Sequence, residues 1–157
     1  LKAAVIVGGT GRGKTTLIKS LIGRMKVKPI IYDVNNEYYS EGYKLPEIDT
    51  FLQMAENSKN KTFIFEEATI FFKHGKRSEQ LERLLVRKRH QQNFYIFVYH
   101  AMHQVPLQIF DFTSTFVLFK TDEPQNTVLA KFAKNQKILD AYIEVNKSND
   151  FHFYKEI

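Results

Sequence analysis

The chain of 157 residues contains no cysteine, which excludes disulfides and thiolate metal centres and is neutral about a reducing cytosol. It also lacks any apolar run of membrane-spanning length. The longest, Phe94 to Tyr99, is about a third of what a helix needs to cross a bilayer, so no membrane span is expected. No signal peptide, internal repeat, low-complexity tract or linker is visible. One domain over residues 1–157 is expected, and its expected location is the cytoplasm. Also missing is an Asn/Thr-Lys-x-Asp segment that would read guanine. The chain opens inside what reads as its first strand, so further segments are expected to flank it.

Charge of one sign is in modest excess: 23 Lys and Arg against 17 Asp and Glu leave a net +6. The excess is unevenly spread. Lys73, Lys76, Arg77, Arg83, Arg87, Lys88 and Arg89, with His74 and His90, meet only Glu79 and Glu82 over the same stretch. A solvated helix face would explain part of this; a polyanion partner would explain all of it. Core material is plentiful, since aromatic residues make up 14% of the chain and 14 of its residues are Phe.

The residues Gly8-Gly9-Thr10-Gly11-Arg12-Gly13-Lys14-Thr15 match G-x-x-x-x-G-K-[ST], and the apolar run Ala3 to Val7 leads straight into them. This is the sequence of a phosphate-binding loop. Glycines let backbone amides curl around phosphates that rest on the N-terminus of the next helix. Gly8 to Gly13, with Lys14, Thr15 and Thr16, are therefore the expected ligands of a nucleoside triphosphate. Lys14 would neutralise the β- and γ-phosphates, and the Thr15 hydroxyl would hold Mg²⁺.

Strands and helices alternate as in a three-layer α/β domain. Strands are expected at Ala3–Val7, Pro29–Val34, Thr62–Phe65, Asn93–Tyr99 and Ser114–Lys120. Helices are expected at Lys14–Met25, Ile48–Glu56, from Arg77 or Ser78 to about Gln91, and at Pro124–Phe132. Val105–Phe110 reads as a short helix or turn, and Asn35 to Pro46 as a polar connection. Ala141–Val145 and Phe151–Tyr154, joined by a turn-rich loop, read as a C-terminal β-hairpin. Right-handed crossovers make the sheet mostly parallel and bring nucleotide chemistry to its carboxyl ends.

Two carboxylates end the third strand, on the edge that carries the loop. Glu66 is the natural magnesium partner, and Glu67 is placed to polarise an attacking water. An acid directly after the metal acid suits hydrolysis rather than phosphoryl transfer to a second substrate. At the tip of the next strand, His100 is the first candidate for sensing the γ-phosphate and Gln104 the second. His100 and His103 have no third ligand nearby in sequence, which argues against a separate metal site. The helix ending near Gln91 runs away from the loop, leaving Arg87 and Arg89 roughly 15–20 Å from their own γ-phosphate, where they could serve a neighbouring subunit's. Lys73, Lys76 and Arg77 follow the catalytic edge directly and could grip a phosphate backbone.

These blocks resemble the HerA/FtsK superfamily of P-loop ATPases. GGTGRGKTT is the loop. Ile31-Tyr32-Asp33-Val34-Asn35-Asn36-Glu37-Tyr38 is similar to the family's Asp-Pro-x-Gly-Glu-Tyr segment. FIFEEA is the acidic strand, and an arginine-rich helix end runs into NFYIFVYH. The resemblance spans about residues 3 to 120. It implies a RecA-like (ASCE) three-layer fold, ATP and Mg²⁺ as ligands, a pentameric or hexameric ring, and a trans-acting arginine at Arg87 or Arg89. Among superfamily members, the chain looks most like a viral genome-packaging ATPase. That would place it in the host cytoplasm, moving DNA, expected to be double-stranded, with a portal or capsid as partner. Conjugation or segregation motors and filamentous-phage assembly proteins are neighbouring alternatives; a nucleotide-kinase-type phosphotransferase is a more distant one. The chain departs from the family in having Glu66 where Asp is usual, and His100 where the sensor is usually Gln.

Overall fold

The computed structural model describes residues 3–38, 41–44, 47–71, 76–150, 152 and 154–157. In the helix at 76–91 it describes the side chains of residues 79, 82–86, 90 and 91. At its centre lies β1 (Ala3–Val7), with all five residues buried because AAVIV is apolar on both sides. Such a strand can only sit inside a sheet covered on both faces. Around it stand β2 (Ile30–Tyr32), β3 (Tyr43–Lys44), β4 (Thr62–Phe65), β5 (Phe94–Tyr99), β6 (Thr113–Phe119) and β7 (Tyr154–Glu156). The order across the sheet is β3-β2-β4-β5-β1-β6-β7. Every neighbouring pair is parallel except β6 with β7.

Side-chain alternation along each strand sorts the core into two halves. Ala3, Val5 and Val7 of β1 join Phe63 and Phe65 of β4 and Phe97 of β5 on one face. That face is covered by α2 (Ile48–Asn57), α3 (Lys76–Gln91), α4 (Gln125–Lys131) and α5 (Gln136–Lys147), which contribute among others Phe51, Leu84, Val128 and Tyr142. Leu84 and Leu85 of α3 are buried while Arg83, Val86 and His90 are exposed, so one side of the helix packs on the sheet. On the other face Ala4, Ile6, Ile64, Ile96 and Val98 meet Ile18 and Ile22 of α1 (Lys14–Gly23). The molecule is thus three-layered, with α1 alone of these helices on the second face.

The expected C-terminal hairpin is corrected. Residues 141–145 lie inside helix α5, and the strand that follows pairs antiparallel with β6 instead. Tyr142, Ile143 and Val145 favour strands locally. The buried set Ile138, Leu139, Ala141, Tyr142 and Val145, however, repeats at helical spacing, and burial against the sheet outweighs that propensity. Asn135 caps the helix, its side chain accepting from Ile138 N at 3.3 Å. Also beyond the sequence reading is β3, a two-residue edge strand inside the stretch read as a polar connection.

Candidate active site at the carboxyl edge of the sheet

The loop between β1 and α1 is held at both ends by its neighbours. Gly8 N donates to Tyr99 O at the end of β5, and Gly9 N to Lys120 O just past β6. A Cβ on Gly8 would lie 2.6 Å from Phe119 Cβ, so only glycine lets the loop approach β6 this closely. Gly13 ends the loop at φ +99°, the left-handed region where glycine alone is unstrained, and α1 starts at the next residue. The first amides of α1, at Lys14, Thr15 and Thr16, point out of the helix without intrahelical acceptors. Lys14 is 6% exposed, and its Nζ donates to Gly8 O at 2.6 Å and Gly9 O at 3.0 Å. Burial pushes its pKa down, and Glu66, Glu37 and Glu67 partly offset this.

Three strands present polar side chains toward this loop by one rule. Ile31 of β2, Ile64 of β4 and Val98 of β5 all face α1. Two residues further along each strand the same parity gives Asp33, Glu66 and His100. Glu66 is 3% exposed and its Oε2 accepts from the Tyr38 hydroxyl at 2.8 Å. Burial raises its pKa to about 7; Glu37 and Glu67 add to the rise, while the Tyr38 hydrogen bond and Lys14 oppose it. Asp33 binds the turn that follows β2, accepting from Glu37 N and Tyr38 N, each at 3.0 Å. Thr15 Oγ1 donates to Glu37 Oε2 at 2.7 Å.

Glu67 departs from the strand. Its φ of 56° and ψ of 49° are left-handed, a conformation costing a non-glycine residue about 1–3 kcal/mol, and a 3₁₀ turn at Ala68–Ile70 follows. In extended backbone Glu66 and Glu67 would face opposite sides of the sheet. The left-handed kink instead brings Glu67 to the tip of β5, where its Oε1 lies 2.6 Å from His100 Nε2. His100 Nδ1 is 3.5 Å from Lys14 Nζ. A ring with Nε2–H donated to Glu67 and Nδ1 accepting from Lys14 satisfies both contacts. Gln104, the second sensor candidate, acts on the backbone instead. Its Oε1 accepts from the amides of His100 and Ala101, fixing the turn behind the histidine.

The other loop residues fall into place around this centre. Arg12 Nη2 meets Asp122 Oδ1 at 2.9 Å, tying the loop crest to the segment after β6. On the α1 side, a cleft of about 400 Å³ opens beside Gly13 and Thr16, with Phe119, His152 and Tyr154 among its lining. The aromatic rings of Phe119 and Tyr154 stand 5.0 Å apart.

Other expected residues lie on a helix leading away from the loop or outside the described residues. The backbone of α3 runs to the opposite edge of the sheet, where Gln91 O accepts from Asn60 N just before β4. Arg87 and Arg89 therefore sit on the last turns of a helix leading away from the loop; their side chains lie outside the described residues, as do Lys73 and the side chains of Lys76 and Arg77. Asp33, Glu37 and Tyr38 are site residues that the sequence signals only through a family resemblance, with no role attached. Strand parity from Ile31 is the signal that could have placed Asp33.

The donor set fits a magnesium–triphosphate group. The loop supplies outward amides and a buried cation, and Thr15 and Glu66 supply hard oxygens. With β5 standing between the loop strand β1 and the acidic strand β4, the fold and site define a P-loop NTPase of the additional-strand class. Residues 3–154 match the family of the central domain of helicase HerA (DUF87), and the chain belongs to that family. Comparison with curated proteins gives no match.

Among solved structures the fold is similar to B204, the DNA-packaging ATPase of Sulfolobus Turreted Icosahedral Virus. The TM-score is 0.74 at 18% identity, over 99% of this chain and 91% of that one. The genome packaging NTPase B204 of Sulfolobus turreted icosahedral virus 2 matches in complex with AMPPCP, with TM-score 0.78, 21% identity, and 99% and 91% coverage. Its complex with ATP-gammaS matches with TM-score 0.77, 19% identity, and 99% and 90% coverage. The chain therefore shares its fold with viral DNA-packaging ATPases.

Proposed function

We infer that this chain hydrolyses ATP and couples the hydrolysis to moving DNA, as the motor domain of a viral genome-packaging ring. The observation that carries the reading is Glu67. A carboxylate directly after the metal acid, swung by a left-handed residue and held by His100 beside the loop lysine, is suited to orienting water. Nothing in that position favours a second phosphate acceptor. A kinase would need a segment that holds a second substrate; the polar connection from Asn35 instead turns Glu37 and Tyr38 onto Thr15 and Glu66.

In this reading the loop amides and Lys14 bind the β- and γ-phosphates, and Gly8 to Thr16 enclose them. Thr15 and Glu66 would hold Mg²⁺, whose positive charge would offset negative charge building up on the phosphates. Glu67 accepts a proton from water, and His100 holds the carboxylate in place. The cleft beside Thr16 takes the nucleoside, with Tyr154 and His152 as its aromatic neighbours. Arg87 or Arg89 reaches a neighbouring subunit's nucleotide, since α3 carries both away from their own. Lys73, Lys76 and Arg77 contact the DNA backbone. A packaging role adds a portal or capsid as the docking partner.

The test is ATP turnover as a function of protein concentration, with and without duplex DNA, for the wild type, Lys14→Ala, Glu67→Gln and Arg89→Ala. Turnover should rise with assembly and with DNA, and Lys14→Ala and Glu67→Gln should abolish it. Arg89→Ala, or the same change at Arg87, should be rescued by mixing with Glu67→Gln, because one mixed interface then carries an intact pair. Full activity in the diluted monomer would refute the shared site. Turnover indifferent to DNA would refute the motor.

A further inference from the structure

Asp33, Glu37 and Tyr38 form a unit that the hydrolysis reading leaves unused. Asp33 is 5% exposed and commits both carboxylate oxygens to consecutive amides, Oδ1 to Glu37 N and Oδ2 to Tyr38 N. Asn36, at φ 58°, makes the left-handed step that closes this turn. The turn aims two successive side chains at the pair Thr15 and Glu66. Glu37 Oε2 accepts from Thr15 Oγ1 at 2.7 Å, and the buried Tyr38 hydroxyl donates to Glu66 Oε2 at 2.8 Å. Those targets belong to the two side chains assigned above to magnesium, Thr15 and Glu66.

The chemistry of each contact is specific. A hydroxyl binds a cation through its oxygen lone pairs, so its proton has to be given to an acceptor elsewhere. Glu37 is that acceptor, and its negative charge also adds to the attraction for a divalent ion. Glu66 carries one more rotatable bond than aspartate, and each free torsion adds entropy that is lost when a carboxylate is fixed on a metal. Tyr38, with its ring locked in the apolar layer under α1, removes that freedom beforehand by pinning one oxygen and leaving the other available.

We propose that Glu37 and Tyr38 are positioning residues of the magnesium site, Glu37 turning the Thr15 oxygen toward the metal and Tyr38 fixing the carboxylate of Glu66. The proposal rests on the reading of the loop as a magnesium–nucleotide site. In this arrangement the segment after β2 supplies the outer wall of the metal site, and Asp33 is the bracket that holds both side chains to it.

The test is binding rather than turnover. Affinity for a fluorescent, non-hydrolysable ATP analogue is measured in EDTA and over a Mg²⁺ series, and Mn²⁺ binding in the presence of the analogue is followed by electron paramagnetic resonance. Glu37→Ala should raise the half-saturating Mg²⁺ concentration about 10- to 100-fold while affinity in EDTA stays unchanged or improves. Glu37→Gln, which keeps a neutral acceptor, should fall between. Tyr38→Phe keeps the buried ring and should shift the Mg²⁺ dependence about 3- to 10-fold, again with the EDTA value unchanged. Wild-type Mg²⁺ dependence in Glu37→Ala overturns the role of Glu37, and the same result in Tyr38→Phe overturns that of Tyr38. A loss of affinity in EDTA equal to the loss in Mg²⁺ would mean general damage to the loop and overturns both. If the wild type fails to bind the analogue, or binds it equally with and without Mg²⁺, the fault lies in the reading of the loop itself.

Discussion

The two halves of the carboxyl edge are built from the same residue type and made to differ by their surroundings. On the side proposed for the metal, Glu66 is buried, continues the line of β4 and is pinned by a tyrosine hydroxyl in the apolar layer. On the side proposed for hydrolysis, Glu67 is one residue away, partly open to solvent, bent out of the strand and held by an imidazole. A buried carboxylate with a fixed oxygen suits a dehydrated divalent ion. An accessible one beside a hydrogen-bonding ring suits a water molecule that must be turned and deprotonated. Adjacent glutamates thus receive different environments from backbone conformation and neighbours, with no difference in their own chemistry, and the separate roles proposed for them follow from that difference.

The sharpest way to break this comparison is to remove each charge in turn. Glu67→Gln should lower kcat about 100- to 10,000-fold, the usual contribution of a general base, while Mg²⁺-dependent nucleotide affinity is kept. Glu66→Gln should do the reverse first: the Mg²⁺ requirement rises, and turnover recovers in part at high Mg²⁺. Nucleotide affinity against Mg²⁺ concentration, read beside single-turnover rates, separates the two. If both variants show the same pattern, the edge is one undivided acidic cluster.

A smaller effect tests how far the hydrolysis side depends on its imidazole. His100→Ala should lower kcat about 10- to 100-fold through misplacement of Glu67, with little change in affinity. His100→Gln restores an amide donor and should recover part of the loss. Unchanged turnover in His100→Ala would show that the left-handed backbone at Glu67 positions the carboxylate unaided.

The same two halves show how much of the molecule could be read from its sequence. The loop, the acidic strand and the strand carrying His100 were legible because each couples an apolar run to polar residues at its end. Strand alternation then fixes which face those residues share. Glu37 and Tyr38 were not legible as site residues. They lie beyond the end of β2, and what places them is an Asp33-centred turn, a hydrogen-bonded arrangement with no periodicity to reveal it. The C-terminal segment misled for a related reason. Tyr142, Ile143 and Val145 resemble a strand over five residues, and only the spacing over the whole of α5 shows the helix. The left-handed Glu67 had no signal at all, since a glutamate there has the same letter in either conformation.

The smallest expected effect is a pH dependence that belongs to the metal side alone. Burial raises the pKa of Glu66 from 4.5 to about 7, so between those values the folded chain holds a proton that the unfolded chain has released. Stability from this group is therefore full below pH 4.5, falls as pH rises toward 7, and is level beyond. At about 1.4 kcal/mol per unit the whole shift amounts to a few kcal/mol, or several degrees in the unfolding midpoint of a domain this size. Metal binding has the opposite sign, since Mg²⁺ needs the carboxylate: affinity should rise about tenfold per pH unit below 7 and then flatten. Thermal unfolding in EDTA from about pH 5 to 8, taken as the difference between wild type and Glu66→Gln, isolates this group from every other that titrates. The wild type should lose several degrees relative to the variant across that range. Parallel curves would mean that Tyr38 and Lys14 stabilise the charged form enough to cancel the burial, and the contrast between the two glutamates would then rest on geometry alone.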